Sequence, residues 1–197
     1  MEEPLFTETR KTLVLICGYA RAGKDTLGQG IMEWSEKNNY HANFADALKD
    51  TCNIFLEMLG IKGDFYDEEF KTEHRDFLVT CAKFARSHDR NVFAEELAEI
   101  IADATDDSYV PYETIVTTDW RYLNELTVLQ KRLIPMGWRI RTVYIGTRGV
   151  KAANAEEEDS IQEIRDLVKF DQEYHFETNS RNQIMQEGRH LAKQWKL

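Results

Sequence analysis

A glycine-containing segment directly after an apolar run carries the clearest chemical signal in the sequence. Residues 18–26 read G-Y-A-R-A-G-K-D-T, which has the G-x-x-x-x-G-K spacing of a phosphate-binding P-loop. Gly18 and Gly23 allow backbone conformations that other residues resist, so that successive N–H groups turn inward on an anion. A helix beginning near Lys24 adds the positive end of its dipole. The segment therefore predicts a nucleotide-binding loop, whose phosphate-binding residues are Gly18, Ala22, Gly23, Lys24, Asp25 and Thr26.

The position after the lysine departs from the usual pattern. P-loops place Ser or Thr there to hold magnesium, whereas this sequence has Asp25 followed by Thr26. A carboxylate at this position holds a magnesium-bound water, and a threonine hydroxyl lies one residue further on. The metal site is therefore predicted at Asp25 and Thr26, and the sequence leaves open which of the two holds the magnesium. Arg21, inside the loop, is predicted to reach across the phosphates, with an exposed loop arginine as the alternative.

Alternating strands and helices are predicted to position this loop. The run from Leu13 to Cys17 is continuous and apolar, as is typical of a buried parallel strand, and residues 24–37 follow as a helix. Because helices of about ten or more residues separate the later strands, the pattern indicates a mostly parallel sheet of class α/β. The further strands are predicted at 41–44, 114–118, 141–145 and 175–178.

Composition restricts the kind of protein. Of the 197 residues, 42% are hydrophobic and 30% are charged, which excludes a disordered tail or a collagen-like rod. At about 150 residues per domain the chain is one domain, with a core at about 12–59 and 112–195 and a helical insertion at about 60–111. The net charge of −10 predicts no stable nucleic-acid binding, because attraction to phosphates needs surplus Lys and Arg.

Three further features indicate a cytoplasmic protein without a membrane partner. The longest apolar run is far too short to span a bilayer. The first eleven residues, MEEPLFTETRK, are acidic and polar, unlike a secretory signal. The three cysteines fit neither a paired disulfide framework nor a C-x-x-C metal site.

Four segments resemble the deoxynucleoside monophosphate kinases of bacteriophages. They are R-A-G-K-D-T at 21–26, F-A-D-A-L-K at 44–49, the stretch 75–93, and D-W-R-Y-L-N-E at 119–125. The resemblance implies a three-layer P-loop kinase fold with a mostly parallel central sheet and helical substrate-binding and lid insertions. It implies transfer of the ATP γ-phosphate to a deoxynucleoside monophosphate, with Mg²⁺, in the cytoplasm (that of the host, if phage-encoded). It also implies a homodimer.

The charges of two nucleotides must be balanced locally in an acidic protein, which requires a cluster of arginines. Little covalent chemistry is needed, and positioning and electrostatic stabilisation dominate the rate. The resemblance and these requirements together give a set of candidates. The catalytic candidates are Lys24, Arg21, Arg75 and Arg121, and the substrate-binding candidates are Lys49, Arg75, Arg86, Asp119, Arg121 and Glu125.

The sequence is also compatible with simpler interpretations of these residues. Arg75 and Arg86 would share nearly one face of a helix but lie about 16 Å apart along it, so Arg75 is predicted to bind the acceptor phosphate and surface ion pairs are the alternative. Arg121 and Glu125, four residues apart, would form an ion pair on a helix. The acidic run 156–159 is predicted as a solvated turn before a helix, with the edge of a mobile lid as the alternative.

Two other functions are compatible with the sequence. One is a P-loop kinase that acts on modified bases in DNA or on another small phosphorylated metabolite, such as dephospho-coenzyme A. The other is a nucleotide-binding protein without turnover, which the aspartate in the metal position of the loop allows. Lids are predicted at 60–72 and 146–160.

Overall fold

The computed structural model describes residues 11–106 and 112–197. The predicted end of the helical insertion, residue 111, lies outside them. The strands are β1 (Thr12–Cys17), β2 (Asn39–His41), β3 (Thr114–Trp120), β4 (Arg139–Thr147) and β5 (Gln172–Phe176). The helices are α1 (Lys24–Trp34), α2 (Asp46–Met58), α3 (Glu68–Glu73), α4 (Arg75–His88), α5 (Val92–Asp106), α6 (Leu123–Leu133), α7 (Ala155–Leu167) and α8 (Arg181–Trp195), with a short 3₁₀ turn at Ile134–Met136.

The five strands form one sheet in the order β2-β3-β1-β4-β5. Every pairing is parallel, and β1 lies between β3 and β4, with Leu13 opposite both Ile115 and Ile140. A central strand covered on both faces must be apolar throughout, and all six residues of β1 are buried. The predicted α/β class with a parallel sheet is therefore confirmed.

Alternate residues of β1 enter two separate cores. Leu13 and Leu15 belong to the larger core, which includes residues of α5, α6 and α7. Val14 and Ile16 point to the opposite face, where α1 and α8 pack. Because successive side chains of a strand point to opposite faces, this alternation gives the three layers of helix, sheet and helix.

Helices α1 and α8 approach each other through their backbones. A Cβ atom added to Gly30 would lie 2.4 Å from the carbonyl oxygen of Met185, and one added to Gly188 would lie 2.4 Å from that of Leu27. Only glycine permits such an approach. Helix α8 therefore supports the helix that begins at the phosphate-binding loop.

The outer strands β2 and β5 both begin and end earlier than the sequence pattern predicts, and contacts with neighbouring strands determine where they end. β2 covers Asn39–His41 rather than 41–44, because the backbone N–H groups of Phe44 and Ala45 donate to a carboxylate of β3 instead of continuing the strand. β5 covers Gln172–Phe176 rather than 175–178, because its partner β4 ends at Thr147, opposite Phe176. Helix α1 ends at Trp34, three residues before the predicted end, where Ser35 adopts an extended conformation.

A membrane-spanning segment would need a long apolar helix. No helix within the described ranges is long and apolar enough to cross a bilayer.

Candidate active site

The loop between β1 and α1 has the backbone geometry of a phosphate cradle. Gly18 has φ 152°, and a Cβ there would lie 2.2 Å from the carbonyl oxygen of Ile145. Arg21 adopts a left-handed conformation with φ 67°, and its side chain is exposed. The hydroxyl of Thr147 donates to the Ala22 carbonyl at 2.8 Å, so the end of β4 holds the loop. Alternation of backbone conformation of this kind turns N–H groups toward an anion.

Lys24 lies at the floor of the loop. Its side chain is 7% exposed, and Nζ donates to the carbonyl oxygens of Gly18 at 2.8 Å and Tyr19 at 2.9 Å. Burial lowers the pKa of this ammonium, and the positive charge of Arg121 lowers it further. The charges of Arg121 and Lys24 are therefore close enough to repel each other.

Asp25 is held in place by the end of β3. The Thr118 hydroxyl donates to Asp25 Oδ1 at 2.6 Å, and His41 Nε2 lies 3.2 Å from the same hydroxyl oxygen. Since the hydroxyl has one proton and gives it to the carboxylate, the imidazole N–H is the donor to Thr118.

The donors around Asp25 fit magnesium in chemical type, since carboxylate and hydroxyl oxygens suit this cation. Asp25 is exposed and Thr26 is partly buried. In the part of the chain that the structure describes, no group of three or more His, Cys, Asp or Glu residues is arranged to hold a metal. Magnesium at Asp25 or Thr26 would therefore need most of its ligands from nucleotide phosphates and water, as is usual for this ion.

Asp119, near the end of β3, binds the backbone of the segment between β2 and α2. Its Oδ1 accepts the Phe44 N–H and its Oδ2 accepts the Ala45 N–H, each at 3.0 Å. Burial raises the pKa of Asp119, while the two backbone hydrogen bonds oppose the rise. Both carboxylate oxygens thus fix the start of α2, the helix that carries Lys49.

Lys49 lies in the second turn of α2. Its Nζ is 2.7 Å from Asp46 Oδ1 and 4.8 Å from the centre of the Tyr66 ring. Lys49 is therefore paired with a carboxylate of its own helix, on the side of α2 that faces Tyr66 in the segment before α3.

The side chains of Arg121 and Glu125 point to different partners. Glu125 is 3% exposed, and its Oε2 accepts the backbone N–H groups of Arg121 at 2.9 Å and Tyr122 at 3.0 Å. Burial raises the pKa of Glu125 to about 7. The Arg121 guanidinium instead lies 3.9 Å from Glu157 Oε1. Glu125 therefore caps α6, and the ion pair of Arg121 is with Glu157.

The two arginines of α4 lie at opposite ends of the helix. Arg86 stacks 4.8 Å from the rings of both Phe93 and Tyr122, which places it beside the segment that carries Arg121. Arg75 is the first residue of α4 and is exposed. The structure thus brings Arg86 to the loops at the edge of the sheet and leaves Arg75 about three turns away.

The acidic run 156–159 lies in the first turns of α7 rather than in a turn before it, and of its four residues only Glu157 is buried. The prediction of a solvated turn is corrected accordingly. Glu157 is 4% exposed; its Oε1 accepts the Ala20 N–H at 3.1 Å and its Oε2 accepts the Ala153 N–H at 2.7 Å. Glu156 accepts from the Tyr122 hydroxyl at 2.7 Å.

A local signal for this arrangement was present in the sequence. Asn154 caps α7 by accepting the Glu157 N–H at 2.9 Å, and an N-cap residue followed three positions later by Glu is a recognised helix start. This pattern would place Glu157 in the first turn of a helix, whereas the acidic run was predicted as a turn before it. It did not indicate that the carboxylate would reach the phosphate-binding loop.

Comparison with known proteins gives only distant likenesses. No protein-family model and no curated protein matches the sequence significantly. Among solved structures, the chain is similar to a sugar kinase from Janibacter sp., with 16% identity, 94% of each chain covered and a TM-score of 0.47. It is also similar to a gluconokinase from Sinorhizobium meliloti, with 14% identity, 94% of each chain covered and a TM-score of 0.43.

A putative kinase from Chloroflexus aurantiacus is similar at 13% identity, over 92% of this chain and 98% of that one, with a TM-score of 0.42. All three scores lie below 0.5, so the substrates of these proteins do not transfer to this chain.

Proposed function

We propose that the protein is a P-loop kinase that transfers the γ-phosphate of ATP to a deoxynucleoside monophosphate and releases the diphosphate. The observation that carries the proposal is the buried Lys24 ammonium at the floor of a phosphate loop, beside the end of the neighbouring strand β3, which Arg121 follows directly. A positive charge in the phosphate loop and another at the neighbouring strand end suit transfer between two phosphates better than simple nucleotide storage.

The donor half of the proposed site is built on β1 and α1. The N–H groups of the loop and the N-terminus of α1 hold the β- and γ-phosphates. Lys24 stays with the γ-phosphate as its charge moves during transfer, and Arg21 reaches across it from the loop. Magnesium, when bound by Asp25 or Thr26 with the phosphates, neutralises the developing charge.

The acceptor half is proposed at the ends of β2 and β3. Arg121 and Arg86 orient the acceptor phosphate, because guanidinium groups bind phosphate oxygens in pairs. Lys49, which is paired with Asp46, and Arg75, at the far end of α4, are the outer candidates for substrate binding, and Asp119 holds the start of α2. No general base is required, since the attacking phosphate oxygen is already an anion.

The acidic character of the molecule supports a small acceptor over DNA. Besides the net charge of −10, three glutamates stand at the start of α7 beside the loop. A polymeric nucleic acid would be repelled there, whereas a single monophosphate can enter between the arginines. Another small phosphorylated metabolite is the alternative acceptor.

The test is ADP release from Mg-ATP with each deoxy- and ribonucleoside monophosphate in turn, beside a DNA oligonucleotide. We expect turnover with one or a few monophosphates, and a loss of at least about a hundredfold in Lys24→Met, by analogy with other electrostatic groups. Lys193→Met, on the exposed side of α8, is the matched control and keeps full activity. Calorimetric ATP binding without turnover on any acceptor would refute the kinase and leave a nucleotide-binding protein.

We also propose a second copy of the chain as a partner. An apolar face on α2 and α4 supports this: Met58 is 80% and Phe84 is 67% exposed, and Phe55 stacks on Phe77 with ring centres 5.9 Å apart. Exposed apolar patches of this kind mark protein contact surfaces. Sedimentation of the wild type and of Phe84→Asp tests it; a monomeric wild type at micromolar concentration would refute it.

A further inference from the structure

Glu157 connects the loops that follow the three central strands. Its Oε1 accepts the N–H of Ala20, in the loop after β1, and lies 3.9 Å from the Arg121 guanidinium, after β3. Its Oε2 accepts the N–H of Ala153, in the segment after β4. The carboxyl ends of parallel strands are where ligands of α/β proteins bind, so this single carboxylate spans the edge of the sheet at that point.

The Glu157 carboxylate lies where its negative charge repels the proposed phosphates. A buried carboxylate is tolerated only when it is hydrogen-bonded or paired, and Glu157 satisfies that condition with two N–H groups and one arginine. Yet its negative charge also acts on Lys24, where the proposed phosphates bind. A negative charge at this place indicates a function other than direct binding of phosphate.

We propose that Glu157 is a positioning residue for phosphoryl transfer, acting through Arg121; the inference rests on the proposed function. The N–O separation of 3.9 Å is too long for a hydrogen bond. The carboxylate therefore holds the guanidinium by charge and leaves its N–H groups free for phosphate oxygens. The hydrogen bond from the Ala20 N–H holds the phosphate loop at a fixed position relative to Arg121. One side chain therefore aligns the residues that bind ATP with those that bind the acceptor phosphate.

Glu157→Gln separates the charge from the shape. The amide oxygen retains the bond to the Ala20 N–H. The amide NH2 cannot accept the Ala153 N–H, so that one bond is lost together with the charge that orients Arg121. We expect kcat to fall at least about tenfold, as for residues that orient catalytic groups, while KM for ATP stays within about threefold or decreases, since a negative charge has been removed. Glu163→Gln, an exposed glutamate on the same helix, is the matched control and retains wild-type kinetics.

A double-mutant cycle distinguishes positioning from general support of the fold. If Glu157 acts through Arg121, the double variant Glu157→Gln/Arg121→Ala is no slower than Arg121→Ala alone. Losses in kcat that multiply, or an unchanged kcat in Glu157→Gln, would overturn the inference. Circular dichroism checks folding; if Glu157→Gln does not fold, Glu157→Asp replaces it in the same cycle, with the same criterion.

The failure of the inference and that of the proposed function give different results. A wild type that turns over monophosphates beside an unimpaired Glu157→Gln refutes only the role of Glu157. A wild type that turns over none of them refutes the kinase, and the role of Glu157 in transfer with it.

Discussion

Replacing Glu125 by glutamine should make the protein more stable above neutral pH. The carboxyl of Glu125 is buried, and a single oxygen, Oε2, accepts both backbone N–H groups at the start of α6. A neutral acid or an amide retains both hydrogen bonds through its carbonyl oxygen. Burial disfavours only the ionised form, and it raises the pKa from its ordinary 4.5 to about 7.

The size of the effect follows from linkage. Below pH 4.5 the carboxyl is protonated in both the folded and the unfolded chain. Between pH 4.5 and about 7 the unfolded chain has lost this proton while the folded chain still holds it, so stability is lost as pH rises through this window. At about 1.4 kcal/mol per pKa unit, the wild type loses about 3 kcal/mol that Glu125→Gln does not lose.

Urea unfolding of both proteins at intervals from pH 4.5 to 8 measures this directly. The difference in free energy of unfolding, variant minus wild type, should grow by about 3 kcal/mol across the series, or by about 6 to 12 °C in Tm for a chain of this size. Small packing changes can add a fixed amount to this difference at every pH without altering its growth across the series. Parallel curves with no change in the offset would refute the reasoning, and would mean that the two backbone hydrogen bonds keep the pKa near its ordinary value.

Three other predictions concern separate parts of the structure. Gly188→Ala should cost about 1 to 3 kcal/mol or more in thermal unfolding, because its methyl group meets the α1 backbone, whereas Gln186→Ala on the exposed side of α8 should change stability by less than about 0.5 kcal/mol. Thr118→Val removes the hydrogen bond to the Asp25 carboxylate, so the Mg²⁺ concentration for half-maximal activity should rise several-fold; an unchanged magnesium titration contradicts a metal role for Asp25. Arg86→Ala should lower kcat/KM for the acceptor more than Arg75→Ala does, and the reverse order would place the acceptor at the far end of α4.

Local sequence patterns were sufficient to predict the phosphate loop and the strand and helix on either side of it, β1 and α1. The continuous apolar run of β1 predicted its burial on both faces, and the spacing of Gly18, Gly23 and Lys24 predicted the loop between it and α1. Both follow from residues adjacent in the chain. The ends of β2 and β5 were missed, because strand ends depend on where a neighbouring strand stops and on carboxylates from elsewhere.

Contacts over long sequence separations explain most of what the sequence did not predict about the site. Asp119, a predicted substrate-binding residue, accepts with its two oxygens N–H groups some 75 residues earlier in the chain, contacts that the sequence did not predict. Glu157 lies 137 residues from the Ala20 N–H that it accepts. No periodicity in a single sequence encodes such a pairing, so an acidic run at a helix start is read as solvated until the fold is known.

The backbone contact between α1 and α8 also limits how the molecule can move. The two helices begin at the same edge of the sheet, since Gly23 at the start of α1 lies against Ile184 in the first turn of α8. Two helices in contact through their glycines cannot slide past each other without separating. The phosphate loop and the loop before α8 therefore move as one rigid body, and closure over a substrate must come from α2 to α4. Spectroscopic labels on α1 and α8 should keep a constant distance when nucleotide binds, while a pair on α1 and α4 should draw closer.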